Sequence, residues 1–466
     1  MQIQGAITTQ VDAIETNHDL LESWHDIDWK KGNGLVVKLR RRMSLASKQG
    51  KSKRLRKLQR LIVGSKSNIL YSIRKVTSNS GKDTPGIDYI TYSTPKEKLE
   101  VFKELCSFDF KGYQSIPTKR IYVPKPDGRL RPIGIPTVKD RILQQIVKNA
   151  LEPEWESKFE SCSYGFRPSR GVNDAVNRIF VSINKPNCRP WVLDLDIKGC
   201  FDNISHGYLL DKLDHFPYIH MVEEWLRAGI LHDGIFYDTN FGTPQGSIIS
   251  PFLCNIALDG IEKEIGVKVS SKGYNKQGSR SLIRYADDMI ILCYSKQDVI
   301  KAKNEIIIIL DRRGLKVSEL KTRELHICEG FDFVGFSFRI EPKDGFLRED
   351  VIYQAGEDFR YLYDKTLCLL RPSGKSIRNI RAKLKEVFTA GRGTKASSLI
   401  MKLNPIIRGW ANSKINWHSN RTFHDLDHYV FTLCVRWMKR RHPNKGWKWL
   451  IATYFKHKND PPFNNK

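Results

Sequence analysis

The sequence has nine cysteines but no C-x-x-C pair. This scatter offers neither a zinc cluster nor a disulfide framework and fits a reducing compartment. No apolar run approaches the roughly 20 residues that cross a bilayer; Ile306 to Leu310 is among the longest. Met1 to Leu21 carries acidic residues and no cationic stretch leading into an apolar one, so a secretory signal is not expected, while an organellar origin stays open. Internal repeats and low-complexity tracts are missing too. The most informative absence is local: between Lys30 and Lys82 there is no Asp or Glu, while Lys and Arg occur 17 times.

The charge that is present is lopsided. Against 51 acidic residues stand 78 Lys and Arg, a net charge of +27 on 466 residues. Such an excess opposes compaction and points to a polyanionic partner. With 40% hydrophobic and 11% aromatic residues, the chain is globular and long enough for two or three domains. Within the basic block, Leu35, Leu39 and Met43, then Leu55, Leu58 and Ile62, recur at helical spacing. That predicts amphipathic helices with a basic face for phosphate contacts. The last 121 residues, from Phe346, repeat the bias with 24 basic against nine acidic residues. They also hold five of the ten tryptophans, Trp410, Trp417, Trp437, Trp447 and Trp449. Most of these are expected in a helical core, with one or two left to stack on bases.

A Gly/Ser/Thr-rich stretch, Thr77 to Gly86, separates the basic helices from the centre of the chain. From Glu97 to Asp350, strand-like runs (Ile121–Val123, Trp191–Leu195, Leu282–Tyr285, Met289–Cys293, Phe331–Phe338) alternate with helical stretches such as Arg141–Phe159 and Pro251–Ile265. After about Asp350 the pattern is helical with few strand signals. The expected organisation is a basic helical segment over 1–88, a mixed α/β centre over 89–345, and a basic helical tail over 346–466.

Two segments carry chemistry. In Ser281–Cys293, two apolar strands flank Asp287-Asp288 with almost no room for a loop, which predicts a tight hairpin with two carboxylates at its tip. An ordinary hairpin favours Asn-Gly or Asp-Gly there. Paired carboxylates beside buried strands repel each other and resist desolvation, so a divalent cation is the natural neutraliser. In Trp191–Ile204, alternation puts Asp194 and Asp196 on one face of a second strand. Carboxylates from separate strands holding two Mg²⁺ ions suit the activation of a 3′-hydroxyl and the departure of pyrophosphate.

These residues resemble the reverse transcriptases encoded by group II introns. Tyr285-Ala286-Asp287-Asp288 is similar to their Tyr-x-Asp-Asp box, and residues 191–204 to their first carboxylate motif, whose metal-binding aspartate stands five residues before an aromatic. The resemblance therefore selects Asp196, with Phe201 as the side chain that excludes a 2′-hydroxyl, and adds the Ile197 carbonyl as a metal ligand. Phe241–Pro251 resembles the loop whose glutamine, here Gln245, packs on the nascent base pair. Arg120–Arg141 resembles the fingers hairpin, in which Lys125 and Arg131 would grip a triphosphate, and Ser163–Ser169 continues it. Gly314–Arg323 resembles the next motif, with Lys321 as proton donor to pyrophosphate. Phe331–Phe336 resembles the primer grip.

Ile407–Asn412 and Arg441–Trp449 resemble the thumb, or maturase domain, which holds intron RNA. Asn79–Asp88 resembles the extension ahead of the fingers. The implied fold is an α/β (α+β) right-hand polymerase: fingers and palm with an antiparallel palm sheet, followed by an α-helical thumb. The implied cofactor is two Mg²⁺ ions, and the implied partners are dNTPs, an RNA template, a DNA primer or target, and group II intron RNA, without a membrane. RNA contacts are expected from Lys38, Arg41 and Arg54 in the basic helices and from Arg408, Trp410, Arg441 and Lys445 in the thumb. A bacterial cytoplasmic ribonucleoprotein is the expected setting, an organelle the alternative. With eleven residues after Phe455 and no Cys pairs, the zinc-supported HNH endonuclease of many relatives is not expected, and a DNA-binding domain is expected to be truncated or missing. The other readings are a maturase acting mainly as an RNA-binding cofactor and a reverse transcriptase recruited outside introns. Thumb motifs disfavour the latter, and Phe201 disfavours an RNA-dependent RNA polymerase.

Overall fold

The computed structural model describes residues 23–124, 128, 130–185, 188–269, 280–343 and 366–455. The chain groups into two compact units: Met1–Gly171 with Leu195–Met289 and Lys301–Thr322, and Val172–Asp194 with Ile290–Ile300 and Arg323–Lys466.

In the first unit the basic block folds into helices Trp29–Lys48, Ser52–Val63 and Lys66–Thr77, packed against helix Val138–Trp155. Asp28 caps the first by accepting from the Lys31 N–H at 3.0 Å, satisfying an otherwise orphaned donor. Val36, Leu39, Met43 and Ala46 form its buried stripe. Not every cation of the block faces outward: Arg40 pairs with Glu152, and Arg56 pairs with Glu154 at 2.6 Å. Helix Pro95–Cys106 starts at a capping box in which Thr94 and Glu97 satisfy each other's backbone donors.

Strands β1 (Thr118–Pro124) and β2 (Leu130–Ile135) form the expected antiparallel hairpin. A second sheet uses β3 (Trp191–Lys198). The first sheet is completed by β4 (Ile230–His232), parallel to β1, and β5 (Ile235–Tyr237). The second sheet runs in the order β6 (Ser281–Tyr285), β7 (Asp288–Cys293), β3, β8 (Lys316–Val317). Pro251–Ile265, expected as one helix, is two, Ser250–Ala257 and Ile261–Glu264. Gly260, at φ +93°, breaks the run in a conformation that only glycine adopts without strain.

In the second unit, β9 (Arg323–His326) pairs antiparallel with the first half of β3. Phe331–Phe338, expected as one strand, is instead β10 (Phe331–Phe333) and the start of β11 (Phe336–Pro342). They are joined by Val334 and Gly335, both at positive φ. The tail is not purely helical either, because Thr366–Pro372 forms β12 along β11. Helices Gly374–Ala390, Ala396–Lys414, Asn420–Arg441 and Trp447–Tyr454 follow, around a core that includes Leu384, Phe388, Leu403, Leu433 and Trp437. Among the described residues no helix is long and apolar enough to cross a membrane.

Candidate active site

The hairpin between β6 and β7 turns at Ala286, whose φ of +58° is a left-handed conformation that an alanine seldom adopts. Three supports hold it there. The Arg284 N–H donates to the Cys162 carbonyl at 2.8 Å, and the Tyr164 N–H donates to the Arg284 carbonyl at 2.9 Å. The fully buried Arg284 guanidinium donates to Asn255 Oδ1 at 3.0 Å, and Asn255 Nδ2 donates to the Gly165 carbonyl at 2.8 Å. Gly165 then lies against the turn so closely that a Cβ would stand 2.4 Å from the Ala286 nitrogen. Asp287 and Asp288 are thereby presented on a clamped tip.

Asp196 leaves the C-terminal half of β3. Beside it, β8 is in register with Ile197 opposite Val317, and the Ser318 N–H donates to the Asp196 carbonyl at 2.8 Å. That alignment delivers Lys321, whose ammonium reaches both Asp196 carboxylate oxygens at 2.9 and 3.0 Å. Asp194, two residues earlier and in the second unit, is bound to Arg323 at 2.7 Å. The two aspartates that alternation could not separate thus have different partners.

The Phe241–Pro251 loop is fastened from both sides. Thr243 N–H donates to the Phe201 carbonyl at 2.6 Å and Gly242 N–H to the Ile204 carbonyl at 2.8 Å, while Gly134 N–H donates to the Gln245 carbonyl at 2.7 Å. Gly242, at φ +86°, approaches Asp202 so closely that a Cβ would lie 2.6 Å from its carbonyl oxygen. The Gln245 amide donates to Asp202 at 3.0 Å. Phe201 meets Phe166 edge-on, ring centroids 6.3 Å apart.

Asp196, Ile197, Phe201, Gln245, Asp287, Asp288, Arg131 and Lys321 all line one cavity of about 990 Å³. Burial raises the Asp287 carboxyl above the usual carboxylate range and Asp196 pushes the same way, opposed by Arg131 and Lys321. A carboxyl that is buried beside a second carboxylate favours a proton or a bound cation. Among the described residues, no three His, Cys, Asp or Glu side chains are drawn into one ligand cluster; Asp196 is turned onto Lys321 instead. The donors nonetheless fit a hard divalent cation, being all oxygen, shared between two strands and repelling each other.

Comparison with known proteins bears on the same residues. A family model described as reverse transcriptase (RNA-dependent DNA polymerase) matches residues 123–338. The N-terminal domain of reverse transcriptase matches residues 24–105, and the group II intron maturase-specific domain matches 377–455. The chain belongs to the group II intron reverse transcriptases. Protein YkfC of Escherichia coli (strain K12) is 28% identical over 337 residues, covering 65% of this chain and 87% of that protein. Group II intron-encoded protein LtrA of Lactococcus lactis subsp. cremoris is 28% identical over 362 residues, covering 65% of this chain but 59% of LtrA. The chain thus corresponds to somewhat over half of LtrA. Maturase-like protein 1 of Euglena longa is 23% identical over 425 residues, covering 89% of this chain and 81% of that protein.

For a group II intron reverse transcriptase, several supporting residues escaped the motif reading. Gly165, Phe166, Asp202, Asn255 and Arg284 hold or line the site; the segments singled out in the sequence contain them, but no motif gives any of them a role. Lys125 lies outside the described residues. Lys38, Arg41, Arg54, Arg408, Arg441 and Lys445 are exposed. Arg441 also donates to the Thr394 carbonyl at 2.7 Å. Trp410 is half-buried, donating to Ser376 at 3.1 Å and packing edge-on to Phe423, so its ring is largely committed to the helical core. The more exposed indoles are Trp447 and Trp449.

At the β10–β11 turn, the buried Lys414 ammonium donates to the Gly335 carbonyl at 3.0 Å and lies 3.3 Å over the Phe336 ring. Burial brings its pKa down to about 8. Between that value and the unfolded one, about 10.4, the unfolded chain holds the extra proton. Stability therefore rises with pH across that window, and the cost of burying the charge is fully present at neutral pH. Lys414→Met removes that cost but also the donor to the Gly335 carbonyl, so its net gain at pH 7 should be no more than about 1–2 kcal/mol. Thermal unfolding from pH 7 to 10 should show this gain shrinking above pH 8.

Proposed function

We propose that this protein copies RNA into DNA from a 3′-hydroxyl primer, and that its basic helices and helical tail hold group II intron RNA for splicing and for copying. The observation that carries the reading is the meeting of Asp196, Asp287 and Asp288 with Phe201, Gln245, Arg131 and Lys321 around one cavity. Asp196, Asp287, Asp288 and the Ile197 carbonyl would hold two divalent cations, best matched by Mg²⁺, which supply Lewis-acid stabilisation of the attacking and leaving oxygens. Arg131, with Lys125, grips the dNTP triphosphate through charge-assisted hydrogen bonds. Gln245, steadied by Asp202, lies against the nascent base pair. Lys321 gives up its contact with Asp196 and passes a proton from Nζ to the departing pyrophosphate. Lys38, Arg41, Arg54, Arg408, Arg441 and Lys445 meet RNA phosphates, and Trp410 contributes an edge at most. The setting is a ribonucleoprotein with intron RNA in the bacterial cytoplasm or an organelle.

The direct test is primer extension on an RNA template with dNTPs, with and without Mg²⁺. Phe201 sharpens it. Shortening this ring opens room for a 2′-hydroxyl, so Phe201→Ala is expected to weaken discrimination against rNTPs by roughly tenfold to a hundredfold. Phe201→Tyr should keep it. Single-nucleotide incorporation of ATP against dATP measures the ratio; an unchanged ratio in Phe201→Ala removes this residue from sugar selection.

A further inference from the structure

Between helices Gly374–Ala390 and Asn420–Arg441 lies a second cavity, of about 360 Å³, wholly within the second unit. Its floor is apolar: Phe388, Leu433 and Trp437 are each at most 6% exposed. Trp437 is fixed there, donating its indole N–H to the Gly391 carbonyl at 2.9 Å and meeting Tyr454 edge-on. Its rim is cationic: Lys385, Arg392, Arg436 and Arg440 are exposed, and no carboxylate pairs with them among the described residues. The spacing is that of helix geometry. Lys385 and Phe388 are three apart on one helix, and Leu433, Arg436, Trp437 and Arg440 recur at three and four on the other. Each helix thus offers apolar groups inward and cations at the mouth.

We infer that this cavity receives one unstacked nucleotide of RNA, its base on the Phe388–Leu433–Trp437 floor and its flanking phosphates on the four rim cations. The inference rests on the proposal that the helical tail holds RNA, and it goes further by giving the tail a single-nucleotide pocket. A duplex presents phosphates along a convex ridge and needs only a flat cationic track. A concave site with an apolar floor is needed when a base leaves its stack. The volume sits near the lower end of the range for small-ligand sites, about 300–1,000 Å³, the scale of one nucleotide rather than a helix.

The test uses the full chain and two fluorescein-labelled RNA hairpins that differ by a single bulged nucleotide in the stem. Wild type should bind the bulged hairpin about tenfold more tightly than the fully paired one. Arg436→Gln/Arg440→Gln should erase that preference while leaving affinity for the paired hairpin within about twofold. Both side chains are exposed, and an unchanged thermal unfolding curve verifies the fold. A control with equal charge loss elsewhere, Arg421→Gln/Lys439→Gln, should keep the preference. Equal loss in both double variants would mean general electrostatics and overturn the pocket. So would an undiminished preference in Arg436→Gln/Arg440→Gln, or displacement of the bulged RNA by polyglutamate at equal charge. If wild type extends primers and binds both hairpins alike, the pocket alone fails. If it neither binds RNA nor extends primers, the proposed function fails with it.

Discussion

Replacing Asp287 by Ala is expected to reduce cDNA synthesis on a primed RNA at least ~10³-fold, and Asp196→Ala should do the same. The size reflects the several kcal/mol that bound divalent ions contribute to transition-state charge, at 1.36 kcal/mol per tenfold. Asp194→Ala is the internal comparison: Asp194 is bonded to Arg323 and does not line the cavity, so polymerisation should stay within severalfold of wild type. RNA affinity should survive all three changes, because none removes a cation. A stability signature should accompany the loss. Burial and Asp196 raise the folded pKa of Asp287 above its unfolded value near 3.9. The native state therefore holds the extra proton across that window, and stability falls as pH climbs through it, leaving the cost in force at neutral pH. Asp287→Asn should accordingly melt higher than wild type at pH 7 in EDTA while remaining inactive. Retained cDNA synthesis in Asp287→Ala would remove the metal site; lost RNA binding would remove the separation between copying and holding RNA.

How far the site could be read beforehand depended on whether its parts were local. Asp287-Asp288 between two apolar strands is a short-range pattern, and a hairpin is its direct consequence. Phe201 and Gln245 were legible only through resemblance, since one aromatic and one Pro-Gln-Gly turn carry little physical signal alone. The choice between Asp194 and Asp196 was beyond alternation, which puts both on one face; what separates them are Arg323 and Lys321, more than 120 residues downstream. The clamp under the hairpin was invisible for the same reason. Arg284 looks like an unwelcome charge inside an apolar strand until Asn255 and the Ala286 carbonyl are found around it. Hydrophobic pattern does not mark a break where glycine acts through φ, as at Gly260 and Gly335. Helical spacing assigns the cations of the basic block to one phosphate-facing side, yet Arg40 and Arg56 neutralise Glu152 and Glu154 on the helix it packs against, a pairing set by tertiary contact.

Gly165→Ala should lower polymerisation about 100-fold without touching a charge, a metal ligand or a nucleotide contact. A Cβ at this position would meet the Ala286 nitrogen at 2.4 Å, the Tyr285 carbonyl carbon at 3.0 Å and the Ala286 Cα at 3.1 Å. All three are backbone atoms, so no rotamer change relieves the clash. Nor can the 162–165 segment retreat freely, because it is bonded to Arg284 on one side and its Gly165 carbonyl accepts from Asn255 on the other. What remains is for the hairpin tip to shift by about 1 Å, carrying Asp287 and Asp288 out of line with Asp196; a misplacement of that size in reacting geometry costs on the order of 10²-fold. The loss should fall on kcat more than on KM for dNTP, since Arg131, Phe201 and Gln245 stay in place, and a higher Mg²⁺ concentration should be needed for half-maximal rate. Gly409→Ala, where a Cβ meets nothing within 4 Å, should be silent. Near-normal kcat and Mg²⁺ dependence in Gly165→Ala would mean that the hairpin tip can move without consequence. The close backing of Tyr285–Ala286 would then have no part in aligning the carboxylates.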